Sequence, residues 1–509
     1  MKDTVFIFLL SFLCAAVYAE DKSILDFRAS TESVNNAVAI QNAIDACAST
    51  GGGIVHFPSG VFLTSTVFLK TNVHLNLHAG AVLRGVTNLN AYEGNAIIVG
   101  ESIRDASIHG LGRIDGQGND SNFQLGDGKG RRPHVILLDK CTNIKVKDVF
   151  LYNSASWTLK LANCDGVQVD NIRIYSHGNY NCDGIDINSK NVVISNCIID
   201  CDDDGICFKT DAPGFAVEHV TVTNCIVASN CNGIKFGTGS FDKFKNISIS
   251  NCVIRKASEN NMRNWKKLLR GVTSDTTVIS GIALEVVDGG IMDQVTITNI
   301  SMQDIQTPLF IRLGNRHGAG TLKNVVISNI IASNESLITS SITGIPGHYI
   351  ENVTIRDILF SYVGGAEKKD AAVIVLEKEK EYPENRMFGS VLPAYGFYVR
   401  HVKNLTMENI QCRVRNIDSR PAFIFDDVHN IWLNDFQVSV PAEGSPIIKL
   451  IESSDVSITG FRSTESVPLF LSVEGKNTAN INIGSNNSDK IQQKVFYDKQ
   501  IKKSEIKGL

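Results

Sequence analysis

The pattern with the clearest chemical meaning is a tetrapeptide, Gly-Ile-x-[Ile/Phe], that recurs with carboxylates just upstream of it. It begins at Gly184, Gly205 and Gly233, and Gly281 opens a related Gly-Ile-Ala-Leu. Alternate side chains of a strand point to opposite faces, so the apolar residues share one face and the variable residues share the other. If the segments stack as parallel strands, equivalent positions form columns, and the polar columns meet on one face.

The polar columns contain groups that can carry out acid and base chemistry. They place these side chains on the shared face: Asp183, Asp186, Asp202, Asp203, Asp204, Lys209, Asn232, Lys235 and Glu285. Carboxyl groups held this close repel one another, which raises the pKa of at least one of them. Cleavage of a glycosidic bond needs one protonated and one ionised carboxyl group. The face is therefore predicted to be a hydrolytic site, and a calcium site or a solvated acidic turn is the alternative.

Cationic side chains accompany these acids. Lys209 and Lys235 suit either of two roles, as counter-ions of the carboxylates or as substrate-binding groups. Glu285 precedes Arg312 by the length of one repeat. We therefore predict a salt bridge between Glu285 and Arg312 on neighbouring coils.

The repeat extends well beyond this stretch and predicts the fold. Strand signatures begin at positions 143, 166, 191, 219 and 246, and they continue to Asn430. Two wider gaps, from Asn246 to Gln294 and from Asn352 to Asn404, are interpreted as two coils with an insertion each. A period in the twenties, with several β-rich segments per repeat and a recurring Asn after the strand, indicates an all-β parallel β-helix. Leucine-rich repeats share the period but need a Leu-x-x-Leu-x-Leu frame, which this sequence lacks.

The two ends of the repeat array are predicted to differ from its middle. Asn36 can cap a short helix that runs to about Cys47 and covers the open first edge of the strands. The tail from Asn487 is polar and Lys-rich and is interpreted as a solvated end. Residues 20–486 are thus expected to form a single β-helix domain, followed by a tail at 487–509.

Residues 1–19 have the features of a secretory signal. Lys2 precedes an apolar run from Val5 to Val17, and small-residue cleavage chemistry ends at Ala19. Export is therefore predicted, and a lipid anchor at Cys14 is the alternative. No later stretch reaches the ~18 apolar residues that a membrane helix needs, so no transmembrane segment is expected. The net charge of −4 and the lack of a basic arm argue against nucleic acid as a partner.

The twelve cysteines do not follow the spacing of a disulfide framework or a zinc site. Cys197, Cys225 and Cys252 each follow an Asn at the same place in successive repeats, so these thiols are predicted to stack as buried fillers. No Cys-x2-Cys motif occurs, so we expect no metal and no cofactor.

Together, these residues resemble glycoside hydrolase family 28, the polygalacturonases and their relatives. Residues 45–60 and 112–118 are similar to the family's first two motifs. Asn-Cys-Asp at 181–183 matches the family's Asn-Thr-Asp motif with Cys in place of Thr, and Asp-Asp-Gly-Ile at 203–206 matches its Asp-Asp motif. The resemblance covers most of the chain after residue 19. It implies a right-handed parallel β-helix that hydrolyses its substrate with inversion of configuration.

The resemblance also implies a role for each matched residue. Asp203 is expected to be the general acid, and Asp183 and Asp204 are expected to hold and deprotonate the attacking water. The remaining candidates are expected to contact the substrate: Asn181, Lys209, Asn232, Lys235, Glu285 and Arg312.

Two departures from the family pattern change the expected substrate. Cys-Asn-Gly at 231–233 stands where the family has Gly-His-Gly, and Ala-Leu-Glu at 283–285 stands where it has Arg-Ile-Lys. In polygalacturonases that cationic pair binds the carboxylate of galacturonate. We therefore expect an exported, monomeric glycosidase of a pectic or related plant polysaccharide or oligosaccharide. The sugar at the cleaved bond is then either neutral or a uronate held by Lys209, Lys235 or Arg312. A calcium-dependent polysaccharide lyase and an inactive glycan-binding β-helix are the alternatives.

Overall fold

The structure is a computed structural model that describes residues 20–124, 132–267, 269–486 and 488–508. The predicted secretory signal at residues 1–19, and with it the alternative lipid anchor at Cys14, lies outside these residues. Within the described ranges, no helix combines the length and the apolar character that crossing a bilayer requires.

The described residues form 34 strands that join in one sheet. The first seventeen are β1 (Lys22–Ser23), β2 (Gly53–Phe57), β3 (Gly60–Thr64), β4 (Val67–Phe68), β5 (Val73–Leu77), β6 (Ala81–Gly85), β7 (Ala96–Glu101), β8 (Arg104–Gly110), β9 (Arg113–Asp115), β10 (His134–Asp139), β11 (Thr142–Lys147), β12 (Phe150–Tyr152), β13 (Leu159–Asp170), β14 (Arg173–Ser176), β15 (Ile185–Ser195), β16 (Ile198–Cys201) and β17 (Ile206–Thr210). The others are β18 (Val217–Thr223), β19 (Ile226–Ser229), β20 (Asn232–Ser240), β21 (Lys243–Lys256), β22 (Val278–Asp288), β23 (Ile291–Gly318), β24 (Thr321–Asn334), β25 (Ser340–Thr343), β26 (Ile350–Gly364), β27 (Phe397–Asn416), β28 (Phe423–Val438), β29 (Ile448–Ile451), β30 (Ser454–Arg462), β31 (Val467–Glu474), β32 (Ala479–Ile483), β33 (Ile491–Tyr497) and β34 (Ile506–Lys507).

Helices are few in the described part of the chain. The α-helix α1 spans Ala37–Ser49. Short 3₁₀ helices occur at Ile24–Phe27, Leu89–Ala91, Ser121–Phe123, Trp265–Lys267, Asp370–Ala372, Asn385–Phe388, Ser488–Lys490 and Lys503–Glu505.

Strands pair in parallel with the equivalent strands one coil further along the chain, as the repeat predicts. The strand β15 pairs with β17, β17 with β20, and β20 with β22. In this series Ile185 lies beside Ile206, Ile206 beside Ile234, and Ile234 beside Ile282. The predicted columns therefore exist, and the predicted right-handed parallel β-helix is confirmed.

The recurring glycine of the tetrapeptide has a steric cause. A Cβ atom added to Gly184 would lie 2.4 Å from the carbonyl oxygen of Gly205, one at Gly205 would lie 2.8 Å from that of Gly233, and one at Gly233 would lie 2.9 Å from that of Gly281. Real Cβ atoms do not approach backbone oxygens this closely. Only glycine therefore lets the coils stack at this column, directly beside the predicted site.

Inside the β-helix, the apolar side chains of each coil pack against those of the neighbouring coils. The rings of Phe208 and Phe236 stack with centroids 4.2 Å apart. Cys197, Cys225 and Cys252 are buried, and the eleven described cysteines are all free thiols, as predicted. At the outer turns, Asn side chains bond from coil to coil: Asn224 to Asn196, Asn299 to Asn251, and Asn329 to Asn299. These ladders explain the Asn that recurs after the strand.

The two wide gaps in the repeat are single coils, and the interpretation of two coils each is wrong. Ile247 pairs directly with Val295 across the first gap, and Val353 pairs directly with Leu405 across the second. The extra residues leave the coil as two inserted segments, 257–277 between β21 and β22 and 365–396 between β26 and β27. Both segments reach the face that carries the acidic residues.

The first end of the β-helix differs from the prediction in detail. The helix α1 covers the first coil with buried Ile40 and Ile44, but Asn36 does not cap it with its side chain. Asn36 is buried and bonds instead to Ser30 and Leu63, which ties the preceding loop to β3.

The described residues 488–508, which were predicted to be a solvated tail, instead form a further coil. The strand β33 pairs with β31, and β34 pairs with β32. Ile501 and Ile506 are buried against the preceding coil, whereas most side chains of β33 are exposed. The Lys-rich composition thus describes the outer surface of a coil, and the apolar residues between the lysines hold it in place.

Candidate active site

The three predicted catalytic aspartates lie around one cavity on the outer face of β15, β17 and β20. Asp183 comes just before β15, and Asp203 and Asp204 come just before β17, one coil away. The cavity has a volume of about 380 Å³. Coils and inserted segments both contribute to its lining: Trp157, Asn181, Asp183, Asp203, Asp204, Lys209, Asp211, Cys231, Asn232, Lys235, Thr238, Gly239, Arg263, Ile279, Tyr382, Pro383, Glu384 and Arg386.

Asp183 is buried and shares a cation with Asp186. The Nζ of Lys209 donates to Oδ2 of Asp183 at 2.9 Å and to Oδ1 of Asp186 at 2.5 Å. Burial and the charge of Asp186 raise the pKa of Asp183 well above its usual range, although Lys209 acts in the opposite direction. The other oxygen of Asp183, Oδ1, is buried and has no hydrogen-bond partner among the described residues.

Asp204 has the opposite electrostatic environment. Its Oδ2 lies 3.1 Å from Nζ of Lys235, and its Oδ1 accepts a hydrogen bond from Nδ2 of Asn232 at 2.7 Å. Burial alone would raise the pKa of Asp204, but Lys235, Lys209 and Asn232 outweigh it and lower this pKa to about 2. Asp204 is therefore ionised at neutral pH, whereas Asp183 holds a proton more readily. Carboxyl groups whose environments separate their pKa values can divide the tasks of an acid and a base.

Asp203 is bound by donors at both of its oxygens. Its Oδ1 accepts the backbone N–H of Asp204 at 2.9 Å, and its Oδ2 accepts from Nη2 of Arg263 at 2.6 Å. Arg263 comes from the inserted segment 257–277 and also binds the carboxylate of Asp202. The candidate general acid is thus in contact with a residue that lies outside the repeat.

The cations that line the cavity, as far as the chain is described, are bound to carboxylates. The ion pairs are Lys209–Asp183, Lys209–Asp186, Lys235–Asp204, Arg263–Asp202, Arg263–Asp203 and Arg386–Glu384. Burial opposes the charge of Lys209 and Lys235, but the neighbouring carboxylates outweigh it and raise both pKa values well above their usual range. The geometry therefore shows both lysines as counter-ions.

The two predicted amide residues lie at the cavity. Oδ1 of Asn181 accepts from Nη2 of Arg132 at 3.1 Å, and Asn232 is bound to Asp204. Asn232 occupies the position where the family pattern has a histidine, so a neutral amide takes the place of a titratable ring.

Glu285 and Arg312 lie beside each other in register, but the predicted salt bridge between them is wrong. The guanidinium of Arg312 donates to the carbonyl oxygens of Gly344, Glu377 and Lys378 at 3.1, 2.9 and 3.1 Å, and Arg312 forms no ion pair with Glu285 in the described structure. Neither side chain is among those that line the cavity.

Glu285 lies behind the cavity wall. The hydroxyl of Thr238 donates to Oε2 of Glu285 at 3.4 Å. Burial raises the pKa of Glu285 to about 8, although Lys235 acts against this shift. Glu285 is therefore mostly protonated at neutral pH, and the negative charge expected at this position is largely absent.

Several lining residues were not found from the sequence, among them Trp157, Arg263, Tyr382, Glu384 and Arg386. The last four of these lie in the inserted segments, where no repeat fixes a side chain's direction. The interruption of the repeat was the available signal, because insertions in a β-helix collect on its binding face. Trp157 lies at a turn, and its ring centroid is 3.9 Å from Nζ of Lys209.

Two groups of possible metal ligands coincide with the site: Asp183, Asp186 and Cys207, and Asp203, Asp204 and Cys231. Within each group the ligand atoms lie within 4.8 Å of one another. Lysine and arginine side chains already bind the carboxylates in both groups, and burial raises the pKa of both thiols. Calcium prefers about six to eight oxygen ligands. The donor sets therefore suit the protein's own cations better than calcium.

Comparison with known proteins decides the family. The model of glycosyl hydrolases family 28 matches residues 47–374. The chain belongs to glycosyl hydrolase family 28.

The family includes relatives that match only part of this chain. An exo-poly-alpha-D-galacturonosidase of Dickeya chrysanthemi is 27% identical over 237 residues, which cover 34% of this chain and 39% of the relative. An endo-polygalacturonase of Pectobacterium carotovorum subsp. carotovorum is 27% identical over 203 residues, which cover 33% of this chain and 50% of the relative. The chain thus matches half or less of the length of these two relatives.

The fold is also similar to that of a solved structure over most of both chains. The exopolygalacturonase of Thermotoga maritima has a TM-score of 0.58 at 18% identity, and the match covers 77% of this chain and 92% of that one. At this identity the likeness shows a shared fold alone.

Proposed function

We propose that the protein is an exported inverting glycoside hydrolase that cleaves a pectic or related plant polysaccharide. The proposal depends on one observation, the meeting of Asp183, Asp203 and Asp204 around one cavity in different electrostatic environments. Export is part of the proposal because of the signal-like pattern at residues 1–19.

In this scheme, Asp203 protonates the oxygen of the glycosidic bond. Asp183 and Asp204 hold a water molecule on the other side of the sugar, and Asp204 deprotonates it. The low pKa of Asp204 keeps it available as a base. The carboxyl group of Asp183 lines the same cavity and can help to hold the water. An acid and a base acting on opposite sides of the sugar ring invert the configuration of its anomeric carbon.

We propose further that the sugar bound at the cleaved bond is neutral. A uronate carboxylate needs a cation, and the cations at the cavity described above are already paired. Taking Lys235 away from buried Asp204 would leave that carboxylate uncompensated, at a cost of about 3–5 kcal/mol. Tyr382 and Trp157 provide aromatic surface against which the C–H face of a neutral sugar can pack.

The geometry does not favour the lyase alternative. A lyase needs a neutral basic residue to remove a proton next to a carboxylate. The raised pKa values of Lys209 and Lys235 keep both lysines protonated, so neither can act as that base.

Incubation with a panel of pectic fractions tests the proposal. Homogalacturonan and fractions rich in neutral sugars are digested separately, and the products are identified by mass spectrometry, with Asp203→Asn as the matched control. Release of a saturated product that ends in a neutral sugar supports the proposal. New ultraviolet absorbance from an unsaturated product, or binding without product, contradicts the hydrolase, and equal cleavage of homogalacturonan contradicts the neutral subsite.

A further inference from the structure

The inserted segment 257–277 carries one side chain, that of Arg263, directly into the proposed catalytic centre. The backbone around this residue is fixed by Asn260. Its Oδ1 accepts the N–H groups of Met262 and Arg263 at 3.1 and 2.8 Å, and its Nδ2 donates to the carbonyl oxygen of Arg263 at 2.7 Å. The hydroxyl of Tyr180 donates to the carbonyl oxygen of Met262 at 3.1 Å. The position of Arg263 is therefore built by the segment and by the coil beneath it.

The guanidinium of Arg263 bridges two neighbouring acids. Its Nη2 donates to Oδ2 of Asp203 at 2.6 Å, and its Nη1 donates to the carbonyl oxygen of Asp202 at 2.6 Å and also to the Asp202 carboxylate. The side chains are 16% exposed for Arg263, 12% for Asp203 and 0% for Asp202. Burial opposes the charge of Arg263, but Asp203 and its neighbours outweigh it and raise the pKa of the guanidinium well above its usual range.

This contact bears directly on the reaction. A carboxyl group that donates a proton to a glycosidic oxygen must first carry an O–H group. In the structure, Arg263 donates to Oδ2 of Asp203 and the N–H of Asp204 donates to Oδ1. The guanidinium therefore fixes the direction in which this carboxyl group points.

Other groups that face Asp203 do not offer the same contact. The titratable and charged groups around it come from neighbouring coils and the inserted segment: Arg132, Asp183, Cys201, Asp202, Asp204, Cys231 and Arg263. Arg132 donates to Tyr180 and Asn181 instead. Within the described residues, Arg263 is thus the cation that is hydrogen-bonded to Asp203.

We propose that Arg263 is a positioning residue that aims the carboxyl group of Asp203 at the substrate. This inference rests on the proposed function, because it assigns the proton donor to Asp203. It gives the first inserted segment a role in the chemistry and not only in the shape of the cavity.

The separate effects on kcat and KM test this role in Arg263→Gln. Without the guanidinium, the carboxyl group of Asp203 is no longer held in one direction, so kcat is expected to fall by about tenfold or more while KM stays near the wild-type value. Lys266→Gln is the control, since Lys266 lies in the same segment and pairs with Asp275 at its surface; its kcat and KM are expected to match those of the wild type. An unchanged kcat overturns the inference, whether the variant shows a raised KM, which would indicate a substrate contact, or only a lower Tm.

A second measurement does not depend on activity. The Tm values at pH 7 of the wild type, Arg263→Gln, Asp203→Asn and the double variant form a cycle. Arg263→Gln is expected to lower Tm less in the Asp203→Asn background than in the wild type. Additive changes in Tm overturn the pairing of the two residues. If no substrate is cleaved by the wild type, the proposed function fails, and the cycle still decides whether Arg263 holds Asp203.

Discussion

Replacing Lys209 with methionine is expected to destabilise the protein far more than replacing a surface lysine. Lys209 is the cation shared by Asp183 and Asp186, and the three side chains are only 11%, 3% and 3% exposed. Removing one partner of a buried ion pair leaves an uncompensated charge and costs about 3–5 kcal/mol. Methionine retains most of the apolar stem of Lys209 but not the charge of Nζ, which lies 3.9 Å from the centroid of the Trp157 ring, so the loss is mainly electrostatic.

The size of this loss depends on pH. In the variant, burial still raises the pKa values of Asp183 and Asp186, and the cation that opposed this shift has gone. When the pKa of an acid is higher in the folded state than in the unfolded state, the folded protein binds more protons. Its stability is then fully present below the unfolded pKa of about 3.9 and is lost as the pH rises through the folded value. The difference between wild type and Lys209→Met is therefore smallest near pH 4 and largest near neutral pH.

Urea unfolding followed by circular dichroism at pH values near 4 and 7 measures this difference. Lys190→Met is the matched control, because Lys190 pairs with Asp165 at 3.4 Å where the side chains are 38% and 43% exposed. Such a surface pair contributes about 0–1 kcal/mol. Equal losses in the two variants, or a loss in Lys209→Met that grows toward acid pH, would refute the account of a buried three-residue ion cluster.

Three further variants test other parts of the site. Burial raises the pKa of Glu285 to about 8, so the wild type loses stability as the pH rises from the ordinary carboxyl pKa of about 4.3 through 8. The Tm of Glu285→Gln should therefore rise relative to that of the wild type between pH 5 and 9. A Tm difference that stays constant over this range contradicts the expectation. Arg312→Met removes the hydrogen bonds to the carbonyl oxygens of residues 377 and 378, so limited proteolysis at this inserted segment should become faster. An unchanged cleavage rate argues against the role of Arg312 in holding the segment. Asn232→Leu removes a hydrogen bond to Asp204 and should move the acid limb of the kcat/KM profile to higher pH by up to about one unit. A shift of the basic limb instead would contradict the assignment of Asp204 to the acid limb.

Much of the fold and the core of the site could be predicted because a β-helix repeats its geometry. Parallel strands in register convert a sequence spacing into a neighbour in space, so Asp183 and Asp204 could be placed on adjacent coils. The same regularity fixed which side chains point inward. The family motif then supplied roles that the spacing alone does not give.

The rest of the site could not be predicted, because it depends on segments that leave the repeat. Arg263 and Tyr382 reach the cavity from insertions whose path is set by local hydrogen bonds, such as those of Asn260. Register also says nothing about the direction of a long side chain. Glu285 and Arg312 are neighbours by backbone pairing, yet Arg312 extends to carbonyl groups of the second insertion.

The anomeric configuration of the first product tests the central claim most directly. Proton NMR during the first minutes of hydrolysis reports whether the new reducing end has the configuration of the cleaved bond or the opposite one. If Asp183 and Asp204 activate a water molecule while Asp203 donates the proton, the first product has the opposite configuration, and Asp203→Asn forms it about 10²–10⁴-fold more slowly with an unchanged fold. Retention of configuration, or normal turnover by Asp203→Asn, would contradict the account.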